Sequence, residues 1–250
     1  MNLLVDIGNT RIKWAIEIKG EFKAGLAVNH KKTDFSTTLS QQWMDLAKPE
    51  LLSISSVAQK QVSLEIIQIA KQLWPNVNVL VAKTSAKSCQ VINAYNQAET
   101  LGVDRWLGLI ALRYYYPGKS CVVDCGTAIT IDCLDGNGLH LGGVIGPGLQ
   151  LMKQALVQGT EDLFFYDQQQ QAGLSNSTNS AIYTGTLYAA SGLISKTIND
   201  HCNCQTLVFT GGDADLLANL ETKYNEFDII IDPDFILKGL AVYCKEESNK

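Results

Sequence analysis

The chain has 250 residues, 46% of them hydrophobic and 18% charged, the balance of a globular protein of one or two domains. Its formal net charge of −5 carries no Lys/Arg block, which argues against a nucleic-acid partner. No apolar run approaches the roughly 18 residues of a membrane span, and the 3–5 run is too short for a signal core, so a cytoplasmic protein without a membrane partner is expected.

Residues 2–7, 11–18 and 21–29 are rich in Leu, Val, Ile, Phe and Ala and are joined by Gly-containing turns, which predicts three strands. Asp34 is placed to cap a helix over 35–47, with Leu39, Trp43 and Leu46 on one face and Pro49 as its stop. A buried strand over 51–57, an amphipathic helix over 62–73 and a strand over 77–81 follow. A polar stretch, 83–100, leads into a helix over 103–115. The first half thus reads βββαβαβα.

Pro117-Gly118 punctuates the chain and the pattern restarts. Strands are predicted at 120–125, 129–135 and 138–146, then a helix over 149–157 and a polar surface loop over 166–176. A long helix over 178–200 carries the small or apolar residues Ala181, Gly185, Ala189, Gly192 and Leu193. A strand over 206–210 ends in Gly211-Gly212, and Asp213 is placed to cap a short helix. A strand over 229–231, a helix over 235–244 and a frayed tail over 245–250 complete the second βββαβαβα half. Seven cysteines without paired spacing suit free thiols, and Cys202-x-Cys204 matches neither a C-x-x-C redox motif nor half a zinc site. The expectation is an α/β fold of two domains, 1–116 and 117–250, with mixed sheets and an inter-domain cleft.

One device occurs twice, about half a chain apart: LLVDIGNTRIKWAI at 3–16 and CVVDCGTAITIDCL at 121–134. In each, a strand ends in a carboxylate, Asp6 or Asp124, and a Gly lets the backbone turn tightly. Successive N–H groups in such a turn form an anion-binding nest, and the Asp adds a hard oxygen ligand for a cation. Two facing hairpins would hold a polyphosphate with a metal ion between them. A lone D-x-G-T would more simply be an ordinary hairpin turn; two copies at matching positions favour the phosphate site. Asp6, Asp124 and Gly211 all fall at strand C-termini, where ligands of open α/β sheets bind. No G-x-x-x-x-G-K-[ST] motif occurs, which excludes a Walker-type P-loop.

These residues resemble the actin, sugar kinase and heat-shock-70 superfamily, with two actin-like (ribonuclease H-like) domains. More narrowly, the chain resembles type III pantothenate kinases. The motifs are DIGNTRIK at 6–13, LGVDRW at 101–106, DCGTAITID at 124–132, GGVIGPG at 142–148 and TGGDA at 210–214. The resemblance implies ATP-dependent phosphorylation of pantothenate to 4′-phosphopantothenate, the first step of coenzyme A biosynthesis. It also implies a cytoplasmic homodimer, a monovalent cation (K+ or NH4+) and Mg2+ with ATP. It assigns Asp6, Ile7, Gly8, Asn9, Thr10, Arg11, Ile12 and Lys13 to the ATP phosphates, with Asp6 near the magnesium. Thr127, Gly211 and Gly212 go to the nucleotide and Asp124 to the monovalent cation. Tyr95, Gly102, Val103, Asp104, Arg105 and Thr178 go to pantothenate, with Asp104 as the proton acceptor.

The residues alone leave simpler roles open. Asp104 could be the N-cap of the 103–115 helix, Arg105 a salt-bridge partner, Tyr95 a loop aromatic and Lys13 a solvent-facing charge; Asp132 is left unassigned. Where the family pattern has Asn-Thr-x-x-Ala, this chain has Ser177-Thr178-Asn179-Ser180-Ala181. The helix over 178–200 could be a core helix or the seat of a two-fold dimer. Another kinase of the superfamily is a rival reading, against which the LGVDR segment and the short chain argue. A non-enzymatic regulator of the same fold is a second, against which the presence of both Asp104 and Asp124 argues.

Overall fold

Leu3, Leu4, Val5 and Ile7 are fully buried, so strand β1 (Asn2–Ile7) is covered on both faces, the pattern of a central strand with parallel neighbours. In the computed structural model, which describes residues 1–160, 163–166, 172–221 and 228–248, β1 is the middle of its sheet. It pairs antiparallel with β2 (Arg11–Ile18) and parallel with β5 (Leu51–Ser56), which is parallel to β6 (Asn78–Val81). β3 (Glu21–Ala24) and the two-residue β4 (Val28–Asn29) both pair with β2, giving the order β3-β2-β1-β5-β6.

The second sheet repeats that order. β9 (Ser120–Cys125) is antiparallel to β10 (Ala128–Leu134) and parallel to β12 (Thr206–Thr210), which is parallel to β13 (Asp228–Ile231); β11 (His140–Pro147) lies beyond β10. Val123, Ile129, Ile131, Leu207 and Phe209 from this sheet form one core with Leu187 and Ile194 of helix α5 (Thr178–Thr197) and Leu217 of α6 (Ala214–Glu221). The remaining helices are α1 (Phe35–Trp43), α2 (Lys60–Leu73), α3 (Val103–Tyr115), α4 (Leu149–Gln158) and α7 (Phe235–Glu247). Two mixed sheets flanked by helices agree with the expected fold class. No helix among the described residues is long and apolar enough to cross a membrane.

Several local expectations are corrected. The strand over 21–29 is two strands, because Gly25 lies on the Trp14 indole: a Cβ there would stand 2.0 Å from Trp14 Cε2. Trp14 is held by a 2.8 Å hydrogen bond from its Nε1 to Gln42 Oε1 and by an edge-on contact with Trp43. Asp34 caps α1 only through its carbonyl, which accepts the Thr38 N–H at 3.0 Å; its side chain makes no cap bond. The polar 83–100 stretch holds an unforeseen hairpin, β7 (Lys87–Ser88) and β8 (Val91–Ile92), turned by Cys89 and Gln90 at φ 49° and 61°. The long helix ends at Thr197 and runs on as a π-helical turn, Ile198–Cys202. Cys133 and Cys202 form a disulfide, against the expectation of free thiols throughout, whereas Cys89, Cys121, Cys125, Cys204 and Cys244 are unbridged and buried. The expected loop over 166–176 lies outside the described residues at 167–171. The expected tail is helical as far as Glu247, and 249–250 lie outside the described residues.

The chain divides into two units, Met1–Tyr116 with Gly138–His140 and Asp234–Lys250, and Pro117–Asn137 with Leu141–Pro233. The last helix thus belongs with the first unit rather than with residues 117–250. α3 is buried continuously from Arg105 to Leu112 and needs cover on every side. α7 supplies it through Gly239, whose Cα approaches so closely that a Cβ would stand 2.0 Å from the Leu107 carbonyl oxygen. Gly239→Ala is therefore expected to destabilise the protein by about 1–3 kcal/mol through overpacking, although helix propensity alone would favour alanine by about 1 kcal/mol. Denaturant unfolding gives the sign, and a stabilised variant would mean that the two helices can move apart freely.

Candidate active site

β1 delivers Asp6 to the end of the first sheet, cross-strand from Lys13 and level with Ser55 on β5. The turn that follows is closed by the Gly8 N–H donating to the Arg11 carbonyl at 3.0 Å. His30 clamps it from both sides. Its backbone N–H donates to the Thr10 carbonyl at 3.3 Å, and its ring Nε2 donates to the Gly8 carbonyl at 2.8 Å. The Val57 N–H holds the Ile7 carbonyl at 3.0 Å. The carbonyls of Ile7, Gly8, Thr10 and Arg11 are thus occupied by protein donors, which presets the shape of the loop before any ligand arrives. Asn9 and Arg11 are exposed, Asp6, Gly8, Thr10 and Lys13 partly buried. Ile7 and Ile12 are fully buried, so they can offer a ligand only main-chain atoms.

The second hairpin is built by close backbone approach. The Gly126 N–H donates to the Ala128 carbonyl at 3.1 Å, and Gly148, at the N-cap of α4, donates its N–H to the Thr127 carbonyl at 3.0 Å. A Cβ on Gly148 would stand 2.2 Å from the Gly126 carbonyl oxygen. Gly211 has φ +95°, and a Cβ there would stand 2.5 Å from both Asp124 Oδ1 and the Cys125 carbonyl oxygen. Asp213 donates its N–H to that same carbonyl at 3.0 Å. Burial pushes the pKa of the Cys125 thiol up most, and the charges of Asp124 and Asp213 raise it further. Both carboxylates therefore lie near the Cys125 thiol, and Thr127 and Gly212, their neighbours in the chain, are exposed. Clustered carboxylate oxygens suit a hard cation.

In the first unit, Gly102 and not Asp104 is the N-cap of α3. Asp104 is the second helical residue, and its Oδ1 accepts the Arg105 N–H at 2.7 Å. A Cβ on Gly102 would stand 2.6 Å from that oxygen, so the glycine leaves room for the carboxylate over the helix N-terminus. Arg105 is 6% exposed. Its Nη1 donates to the Tyr95 hydroxyl at 2.9 Å and its guanidinium carbon stands 5.7 Å from the centre of the Tyr95 ring. Tyr95 stacks on His140, with ring centroids 6.1 Å apart and planes at 13°. His140 Nδ1 accepts the Ala94 N–H at 3.4 Å.

Two groups of the sequence-derived residues are thus assembled within single units: Tyr95 with Gly102, Val103, Asp104 and Arg105, and Asp124 with Thr127, Gly211 and Gly212. Thr178 is exposed at the first position of α5, where Ser177, standing in for the family's Asn, accepts the Ser180 N–H at 3.3 Å as a true N-cap. Four neighbours were not foreseen as site residues. Gly148 and Asp213 lie inside motifs that were visible, and their roles could have been read there. His30 and His140 carry no such signal, since their partners lie 22 and 46 residues away.

A family model described as type III pantothenate kinase matches residues 2–200. The chain is 37% identical to the type III pantothenate kinase of Nitrosococcus oceani, over 100% of this chain and 96% of that protein. It is 35% identical to that of Dichelobacter nodosus, over 97% of each. Among solved structures it resembles component A of the (R)-2-hydroxyglutaryl-CoA dehydratase of Acidaminococcus fermentans. That match has a TM-score of 0.60 at 16% identity and covers 100% of this chain and 99% of the other. A ROK family glucokinase from Streptomyces griseus gives a TM-score of 0.52 at 11% identity, over 99% of each chain. The structural likenesses establish the actin-like fold, and the sequence matches establish that the chain belongs to the type III pantothenate kinase family.

Proposed function

We propose that this protein transfers the terminal phosphoryl group of ATP to the primary alcohol of pantothenate, giving 4′-phosphopantothenate for coenzyme A synthesis. Beyond family membership, the observation that supports it is the Asp104–Arg105–Tyr95 array at the start of α3. A carboxylate with a fixed rotation is set beside a buried guanidinium.

Phosphoryl transfer requires mainly positioning and charge neutralisation. Asp104 accepts the hydroxyl proton as the new O–P bond forms. The Arg105 N–H on Oδ1 fixes the carboxylate's rotation, and Arg105, steadied by Tyr95, pairs with the pantothenate carboxylate. The turn 8–11 offers main-chain and hydroxyl donors to the phosphates of ATP, and Thr127, Gly211 and Gly212 are nucleotide-binding residues of the second unit. Asp6 supplies an oxygen ligand to the divalent ion that accompanies ATP. A monovalent cation, K+ or NH4+, is held at Asp124, a role that the hard oxygen donors of Asp124 and Asp213 suit. When bound, the two ions neutralise charge on the phosphate oxygens. Thr178 contributes to the pantothenate site.

The reading includes a cytoplasmic homodimer. α5 leaves Ala181, Gly185, Tyr188, Ala189 and Gly192 exposed at helical spacing, a face that a second copy of the chain can cover. Tyr188→Glu is then expected to halve the mass measured by sedimentation equilibrium; a persisting dimer would move the interface elsewhere.

Two kinetic tests follow. Asp104→Asn, nearly isosteric, is expected to lower kcat by about 10²–10⁴-fold, the usual contribution of a positioned base. The assay is pantothenate-dependent ADP release, and turnover that survives would make Asp104 a binding residue only. Asp124→Asn is expected to raise the potassium concentration for half-maximal activation by about tenfold or more, since ligand charge sets cation affinity. An unchanged potassium profile would remove Asp124 from the cation site.

A further inference from the structure

Four buried cysteines of the second unit gather at the end of the β9/β10 hairpin away from its turn. Cys121 on β9 and Cys133 on β10 are direct cross-strand partners, with their Sγ atoms 2.8 Å apart. Cys202 closes the π-helical turn after α5 and is bridged to Cys133. The Sγ atoms of Cys121, Cys133 and Cys202 all lie within 4.8 Å of one another. Cys204 follows two residues later, past Asn203 in a left-handed conformation at φ 34°, and is buried in the same core as the other three. The four are 0 to 5% exposed and sit in the apolar core of the unit. Such a concentration of sulfur from three separate segments exceeds what one disulfide uses. Neither the kinase reading nor the family resemblance gives it a role.

We propose that, once the Cys133–Cys202 bond is reduced, Cys121, Cys133, Cys202 and Cys204 form a four-sulfur site for one thiophilic d10 cation, Zn2+. Disulfide and metal are then alternative closures of the same site. The dimensions suit this. Sulfurs bound tetrahedrally at about 2.3 Å from zinc stand roughly 3.8 Å apart, within the 4.8 Å spread of Cys121, Cys133 and Cys202, and Cys204, two residues past Cys202, would supply the fourth sulfur. Thiolates in an apolar pocket select soft or borderline ions over magnesium or potassium, so the site does not compete with the carboxylates of the phosphate hairpins. The chemistry balances. Two molecules of a small thiol reductant cleave the disulfide to two Cys thiols and leave as their own disulfide. Zn2+ then takes four thiolates and releases four protons. A π-helical turn next to the site fits a functional role, since such turns collect at functional positions.

The test uses the full-length protein, reduced with a thiol and freed of reductant without oxygen, then titrated with Co2+ as a spectroscopic probe. The expected result is one equivalent bound, with thiolate-to-cobalt charge-transfer bands and intense tetrahedral d–d bands that one equivalent of Zn2+ abolishes. Cys204→Ser, in the loop, should weaken binding at least tenfold and shift the bands as one sulfur is lost. The double variant Cys89→Ser, Cys244→Ser, altered at thiols of the first unit, should bind like the parent. Untreated disulfide-bonded protein should bind no cobalt at this site. Pantothenate-dependent turnover serves as the check that each variant is folded. Absence of tetrahedral thiolate bands in folded, reduced protein would overturn the proposal. So would bands that Cys204→Ser leaves unchanged, or equal binding by the disulfide form.

Discussion

The contact on which the candidate phosphate site most depends is backbone against backbone at the turn of the second hairpin. Gly148 and Gly211 come so close to the main chain of Cys125–Thr127 that neither position has space for a methyl group. Those approaches let two strand ends and a helix N-terminus meet around Asp124 without an intervening layer of side chains. Main-chain N–H groups and carboxylate oxygens can then line one small volume, which is what a charged, oxygen-rich ligand demands. A site built in this way has little tolerance, because its neighbours are peptide groups rather than flexible side chains.

The first hairpin reaches a similar shape by other means. Gly8 has no crowded neighbour; a Cβ there would meet only the Arg11 carbonyl oxygen, at 3.5 Å. Its turn is instead shaped by a histidine from a distant strand end, bonded at both sides. The two sheets therefore share an order and a central antiparallel pair, while their turns are held by different chemistry. Duplicated topology does not require duplicated contacts, only that each turn's carbonyls be satisfied in a way that turns its donors outward.

Much of this fold was readable because the central strands are continuous runs of Leu, Val, Ile and Cys, and because α2 keeps a helical period over three turns or more. The carboxylates at strand ends were readable for the same reason, since the apolar runs stop at Asp6 and Asp124. What escaped depends on contacts distant in sequence or on backbone conformations that no residue type announces. Trp14 on Gly25 splits a strand, a non-glycine pair at 89–90 turns a hairpin, and Cys133 meets Cys202 across 69 residues. The assignment of α7 to the first unit also depends on packing, because the local pattern of 235–247 would suit either unit. Gly102 shows a subtler case. As N-cap it displaced Asp104 from the role that propensity favours, and so freed that carboxylate for other work.

The first unit takes its final helix from the end of the chain, whereas almost all of the second is drawn from the continuous run between. During synthesis the second unit is therefore complete before the first. Nascent β1, β5 and α3 leave the ribosome early, yet the helix that covers α3 follows only after more than a hundred further residues. At roughly 5–20 residues per second that wait is on the order of ten seconds. Through it, the apolar surface of α3 facing α7 stays open to water and to whatever binds nascent chains, and the unit made first is the last to close.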